Sequence, residues 1–551
     1  MKRGHIQPTE WAWVWGVAIG LVLLNSLPYL YAALTAPDGW RYMGIMVNVP
    51  DHAQYFSWYK QYLTANLAAN TLTPEPNAPI FFNLLWWMLG KLGALLGLDY
   101  AASFQVLRVI STFAFCFVLY RLCAWFLDDR LHRLTAFLAA IFASGFGWVL
   151  IALKYLLRLP EYPLDINLLI YIVEPNSFFS LLSTPHLSGA ALYMLAFDWV
   201  LRGEVEKKLL PAVFAGLWTL FLGFQHAYDL FLVWGIIGAY GLLKFMRDRQ
   251  LPWRLIQALF IIGLLSGWPG LYSFLLTSLD PIWRDVLAQF DNAGVFTPAP
   301  WLLPVLLGPA FLLALFTQIK DNPLNLRAKD DGALFLTAWF WANFLLVYLP
   351  TNYQIKMLNG WQAPIAIIAT QGLFKYVLPW LGQLSLRGRW NWRGAGLQRG
   401  LAAAFLAVII PTNLYLFAWR FLDLGRHSYP YYLRTDELAA MQWLDENAQP
   451  GAVVLASLTL GQYVPALTGQ PAFLAHWAQT VDYYGKEAQV REFFDSATSD
   501  ERRQAIVAGQ NVEYLLYGPP ERMLGGFDPN TASWLTLVAS PSAEVRIFQV
   551  R

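Results

Sequence analysis

Val47 to Gln61 reads VNVPDHAQYFSWYKQ, and it sets an acid, Asp51, directly behind a proline soon after the first long apolar run of the chain. Pro50 biases the residue before it away from helix, and a helix begun there brings Asp51 and Tyr55 onto one face a turn apart. This is the layout of an acid presented at the mouth of a helical bundle. Because Asp is also a preferred N-cap, the residue type alone fits equally well a carboxylate that only caps an interfacial helix.

Composition defines the setting of that acid. The chain has 551 residues, 57% hydrophobic and 13% charged, and a mean hydropathy of +0.41. Soluble proteins carry about 25% charged residues, so the chain reads as a polytopic membrane protein. The net charge of +2 describes no basic surface, and nothing in the sequence has the footprint of nucleic-acid binding. Cys116 and Cys123 fall on one apolar helix with α-carbons roughly 10 Å apart, beyond disulfide reach. They read as packing residues.

Apolar runs near 20 residues in length mark the spans. The first, Trp11 to Leu34, follows Met1-Lys2-Arg3 and is longer than a signal-peptide core, so it reads as an uncleaved helix with a cytoplasmic amino end. Others are expected at 105–126, 134–153, 187–201, 209–225, 228–243, 255–275, 301–317, 333–350, 361–381 and 400–420, about eleven in all. Positive charge tests the alternation, since short cytoplasmic loops collect Lys and Arg. The loops sharing a side with the amino end hold Arg130 and Arg133; Arg202, Lys207 and Lys208; Lys244 through Arg254; Lys320 through Lys329; and Arg387, Arg389, Arg393 and Arg399. The opposite loops hold only scattered bases such as Arg41, Lys60 and Lys356.

The alternation requires that Ile80 to Leu98 not cross. Asn83, Lys91 and several glycines interrupt it, and it reads as an interfacial or re-entrant helix with Trp86 and Trp87 at headgroup level. Residues 35–104 then form one long outer loop that contains Asp51.

Three further outward segments carry polar groups. The loop 154–186 holds Glu161, Asp165, Glu174, Asn176 and His186. Glu174 and Asn176 flank a proline that breaks any helix and exposes backbone groups. Taken singly, Glu174 also reads as an ordinary loop carboxylate and His186 as a helix-terminal histidine. In Gln225-His226-Ala227-Tyr228-Asp229, a very short connection between two apolar helices, His226 and Asp229 are placed near the membrane surface on one helical face, where polar groups usually line a cavity. Two ligands without a third at diagnostic spacing make a weak metal signal, and a structural or substrate-contacting pair is the stronger reading. In Thr351 to Trp361, TNYQIKMLNGW, Lys356 is a base on the side otherwise poor in them. An anionic ligand such as phosphate would hold it there, although a snorkelling helix-end lysine fits as well.

From 421 the composition becomes that of a soluble outer domain. A helix is expected over 435–448, a strand at 452–457, helices within 486–508, and strands at 513–517, 534–539 and 544–550, together a small α/β domain. Its segment GQPAFLAHWAQTVDYYGK, with His476, Trp477, Thr480, Asp482 and Lys486, reads as a recognition loop or as a surface loop pinned by Trp477.

Taken together, PDHAQY in a long first outer loop, PEPNAPIFFNLLWW leading into an interfacial helix, and an outer α/β domain resemble the GT-C superfamily of integral-membrane glycosyltransferases, of the protein mannosyltransferase or aminoarabinose transferase type. The resemblance implies an α-helical polytopic fold over 1–420 with an extracytoplasmic domain over 421–551, in the plasma membrane. It implies transfer of a sugar from a polyprenyl-phosphate-linked donor to a glycan, lipid or protein acceptor, with Asp51 as the catalytic or acceptor-orienting acid. Lys356, in YQIKMLNGWQAPIAIIA, corresponds to the base that meets the lipid-linked phosphate. His52 stands where some members carry a second acid. His52, Tyr55, Glu174, Asn176, His186, His226, Asp229 and His476 are expected to line the substrates. The pattern names no cofactor, and a divalent metal is compatible with it.

A transporter or lipid flippase would also place polar groups among helices, but such proteins often show internal repeats and midplane ionisable groups. No repeat is visible, and the polar groups gather on one expected side. A non-catalytic assembly protein that binds glycan through its outer domain is the third reading.

Overall fold

The computed structural model describes residues 4–158, 166–290, 295–385 and 395–551. Glu161 and Asp165, together with Lys2, Arg3, Arg387, Arg389 and Arg393 from the charge pattern, lie outside the described residues. Helices dominate. Six are long and apolar enough to cross a bilayer: Pro8–Leu34, Tyr100–Cys123, Asp229–Asp248, Trp253–Leu279, Pro300–Lys320 and Gln354–Gln383. Two pairs pass the same test when joined but bend sharply, Arg130–Phe142 with Gly147–Leu156 by 50° and Gly396–Ile409 with Pro411–Leu424 by 47°. The count is therefore six to eight among the described residues. Several expected spans are shorter: Leu210–Gln225 and Asp331–Leu346 have 16 residues each, about 24 Å at 1.5 Å per residue against a hydrocarbon core of about 30 Å. Leu84–Leu96, the segment excluded from the spans, has 13 residues.

The chain divides into two compact units. The first comprises Met1–Ser26, Leu107–Leu271 and Val295–Arg420. Within it Gly189–Glu206 packs on Leu210–Gln225, Asp229–Asp248 on Asp331–Leu346, and Gln362–Gly372 on both Leu303–Lys320 and Arg130–Phe142. Several of its buried charges occur in pairs. Arg133 meets Glu10 at 3.1 Å, with the Tyr120 hydroxyl donating to Glu10. Arg121 meets the fully buried Asp198 at 2.6 Å, and Lys244 meets Glu204 at 2.6 Å. Arg133 and Lys244 are bases of the positive-charge pattern, so that pattern also supplies counter-ions. Removing a charge from water is unfavourable enough that each needs such a partner.

The second unit comprises Leu27–Val106, Tyr272–Gly294 and Phe421–Arg551. It contains a four-stranded sheet of Val453–Leu455, Val512–Tyr517, Arg546–Val550 and Leu535–Ala539 in that spatial order. The first pair is parallel and the others antiparallel. Helices Tyr483–Phe494 and Asp500–Gly509 contribute Val490, Phe493, Ile506 and Val507 to the core over the sheet. A second, two-stranded antiparallel sheet pairs Trp40–Tyr42 of the first long loop with Tyr432–Arg434. The helix Val49–Tyr62, which carries Asp51, packs against Val464–Thr468 and Leu84–Leu96. Gly93 permits one of these contacts, because a Cβ there would lie 1.9 Å from the Tyr59 hydroxyl.

Two buried carboxyls strengthen this unit through hydrogen bonds to backbone amides. Glu437 accepts from the Arg434 amide at 2.8 Å and from the Tyr429 hydroxyl at 2.5 Å. Glu521 accepts from the amides of Ser457 and Gly518, both at 2.8 Å. Both are fully buried, and desolvation raises both; Glu437 is pushed up to about 7. A carboxyl that holds its proton more tightly when folded favours the folded state most below its unfolded range. That contribution is lost as pH rises towards the folded value. The stability of this unit should therefore fall between about pH 4.5 and pH 7, with a slope approaching about 1.4 kcal/mol per pH unit for one proton. Thermal unfolding across this range checks the effect, and Glu437→Gln should flatten the profile.

Candidate functional site

Asp51 lies in the first turn of Val49–Tyr62, with Pro50 at the helix start, where its missing amide hydrogen is no loss. Asp51 is not the cap. Asn48 occupies that position in a left-handed conformation with φ 48°, which corrects the capping alternative. A carboxylate in a helix's first turn is favoured by the helix dipole whether or not it caps.

The Asp51 side chain is 31% exposed, and its Oδ1 lies 3.2 Å from Nε2 of His476, which is 2% exposed. His476 belongs to a tightly bonded loop. Thr480 Oγ1 accepts from the amides of Ala475 and His476 and donates to the carbonyl of Leu72. Gln289 Nε2 donates to the carbonyls of Ala478 and Thr480, and Asn70 donates to that of Gln479. Trp477 packs on Phe290 with ring centroids 5.3 Å apart. The expected recognition loop is thus anchored through Thr480 as well as Trp477. Lys486, also singled out, is buried and pairs with Glu75 at 2.5 Å, and Glu75 went unremarked in the sequence.

His52 and Tyr55 pack within the aromatic cluster behind Asp51. His52 is fully buried, with Nδ1 2.9 Å from the Asn48 carbonyl and its ring 5.2 Å from Phe104. Tyr55 stacks on Trp86 at 5.1 Å.

The first unit brings together the other expected residues. Lys356, on the short 3₁₀ turn Gln354–Leu358, meets Glu174 Oε1 at 2.6 Å, with side chains 22% and 5% exposed. The anion facing Lys356 is thus Glu174 of the same chain. The turn is fixed from behind by the Tyr193 hydroxyl, which donates to the Asn359 carbonyl at 2.9 Å. The next residue, Gly360, has φ +74°, and a Cβ there would fall 1.7 Å from that hydroxyl. Asn176 caps Ser177–Ser183 and donates to Asn413 at 2.6 Å, while Gln362 donates to the Pro175 carbonyl at 2.7 Å. The proline break after Glu174 is therefore held at both ends.

His186 and His226 lie edge to face with centroids 5.8 Å apart. His226 stacks on Tyr228 at 5.1 Å, and its Nδ1 is 3.6 Å from Oδ2 of the fully buried Asp229. Among the described residues no three His, Cys, Asp or Glu side chains converge as metal ligands.

The fold is like that of integral-membrane glycosyltransferases of the GT-C type, and six to eight segments among the described residues are long and apolar enough to cross a bilayer. Three solved structures carry the likeness. The archaeal oligosaccharyltransferase AglB of Archaeoglobus fulgidus, in complex with an inhibitory peptide and a dolichol-phosphate, is 13% identical with a TM-score of 0.53, covering 93% of this chain and 70% of that one. ArnT of Cupriavidus metallidurans, bound to undecaprenyl phosphate, is 11% identical with a TM-score of 0.50, covering 97% and 98%. The mycobacterial arabinofuranosyltransferase AftD is 13% identical with a TM-score of 0.54, covering all of this chain and 42% of that one. A family described as of unknown function, DUF6541, matches residues 357–546. No curated protein matches the chain.

Removing one member of a largely buried ion pair leaves the other without compensation. Glu174→Ala should lower stability by about 2 kcal/mol, less than the 3–5 kcal/mol typical of full burial because Lys356 keeps some access to water. Adding Lys356→Met should restore much of the loss. A double-mutant cycle on thermal unfolding in detergent checks this, and additive losses would mean that the two charges are uncoupled.

Proposed function

We propose that the protein is a membrane glycosyltransferase that moves a hexosyl or pentosyl group from a polyprenyl-phosphate-linked donor to an acceptor hydroxyl on the outer face of the plasma membrane. The observation that carries this reading is Asp51: a partly exposed carboxylate, at the start of a helix in the first long loop of a GT-C fold, held by a buried histidine. The phosphate-linked lipids bound by AglB and ArnT support the donor class.

In this reading Asp51 accepts the acceptor's hydroxyl proton as its oxygen bonds to the anomeric carbon. The bond from that carbon to the phosphate oxygen breaks, and its electron pair leaves with the polyprenyl phosphate. Lys356 stabilises the charge that gathers on that phosphate, with Glu174 as its counter-ion while the site is empty. Asn176, His186, His226 and Asp229 line the donor side, and His52 and Tyr55 support the helix of Asp51. The topology proposed with this chemistry has about eleven spans, a cytoplasmic amino end, and residues 421–551 as an extracytoplasmic domain.

Incubating the purified protein with a panel of polyprenyl-phosphate sugars should release lipid phosphate from one of them in the presence of acceptor. Transport of an intact lipid, or glycan binding without release, would oppose the reading. Lys356→Ala should raise the donor KM about tenfold or more, as expected for a lost charge-assisted contact, and leave the acceptor KM near wild type. Equal losses for both substrates would argue against a phosphate role.

A further inference from the structure

His476 differs in kind from a residue that lines a substrate pocket. Its Nδ1 accepts two backbone hydrogen bonds from its own loop, from the amide of Ala478 at 2.9 Å and from that of Gln479 at 3.2 Å. A nitrogen that accepts from two N–H groups carries no hydrogen, so the imidazole hydrogen resides on Nε2. Nε2 is the atom that faces Asp51 Oδ1 at 3.2 Å.

The loop leaves this choice little freedom. The His476 amide donates to Thr480 Oγ1 at 3.0 Å, and the Thr480 amide donates back to the His476 carbonyl at 3.0 Å. Thr480 Oγ1 in turn donates to the Leu72 carbonyl at 2.6 Å. The ring stacks on Trp477 with centroids 5.4 Å apart. Main chain thus sets both the direction of the imidazole and its tautomer, while the side chain is only 2% exposed.

We propose that His476 is a positioning residue for the transfer reaction. As the neutral Nε2–H tautomer it donates to Asp51 and fixes the carboxylate's orientation towards the acceptor hydroxyl. This rests on the reading of Asp51 as the base. His476 keeps its proton throughout: the acceptor proton goes to Asp51, the acceptor oxygen bonds to the anomeric carbon, and the polyprenyl phosphate departs with the electron pair of the broken bond. The role of the histidine is geometric, because a carboxylate free to rotate would leave the near-attack arrangement. A residue from the chain's last quarter thereby sets the chemistry of its first loop.

The test combines kinetics with a direct measurement of the tautomer. His476→Phe should lower kcat about 100-fold with both KM values near wild type, the size expected from misplacing a reacting group. His476→Gln retains an N–H donor on a side chain of similar reach and should recover most of that loss. A purely structural role would instead lower thermal stability and affect both variants alike. Nitrogen-15 NMR of the wild type with labelled histidine gives an arm that requires no active variant. Among the seven histidines, the signals that vanish in His476→Gln belong to His476, and they should show Nε2 protonated and Nδ1 bare. Wild-type turnover in His476→Phe, or a hydrogen on Nδ1, would overturn the proposal. If Asp51→Asn kept full activity, the reading of Asp51 beneath it would fall instead, whatever the tautomer.

Discussion

A charge withdrawn from water must meet an opposite charge or a fixed dipole, and this constraint organises many of the polar groups among the described residues. In the first unit it pairs Glu10 with Arg133, Asp198 with Arg121, Glu204 with Lys244 and Glu174 with Lys356. In the second it pairs Glu75 with Lys486, holds Glu521 on backbone amides and sets His476 against Asp51. Most of these groups are buried. Asp51 and Lys356 each keep a fraction of their surface open while their partners are almost fully enclosed, as do Arg121 and Glu75.

A carboxylate or ammonium with a fixed orientation and residual access can meet a ligand without first reorganising, and this makes electrostatic preorganisation effective in catalysis. The supports behind the two residues differ. Lys356 is carried on a one-turn element braced by Tyr193 against a left-handed glycine. Asp51 is carried on a helix braced by aromatic stacking, with its carboxylate facing a loop held by internal hydrogen bonds and by the side chains of Gln289 and Asn70.

Much of the helical fold was legible because long apolar runs form long apolar helices. The runs at 105–126, 228–243, 255–275 and 301–317 each correspond to a long apolar helix. The bends were harder to read, since 134–153 and 400–420 appear as unbroken apolar runs but turn by 50° and 47°. Pro411 marks the second bend. The first lies at Ala143–Phe146, where the Ser144 amide and hydroxyl bond to the Ile409 carbonyl, a long-range contact that local sequence does not encode. The four strands of the larger sheet were readable from alternation, but Tyr432–Arg434, which pairs with Trp40–Tyr42, was not. At the site, Pro50 and the first apolar run pointed to Asp51, and a lone base on a side poor in bases pointed to Lys356. Their partners lie 425 and 182 residues away. A lysine on a base-poor side needs a counter-ion, which could have singled out Glu174. Nothing local signals that His476 faces Asp51.

Asp51 is proposed as the base of a sugar transfer from a lipid-linked phosphate. Its most direct test measures donor affinity and single-turnover transfer side by side in the wild type and in Asp51→Asn, an isosteric change that removes only the basic oxygen. Donor binding and insertion should be unchanged, with transfer reduced by about 100-fold or more. Transfer at the wild-type rate in Asp51→Asn would contradict it.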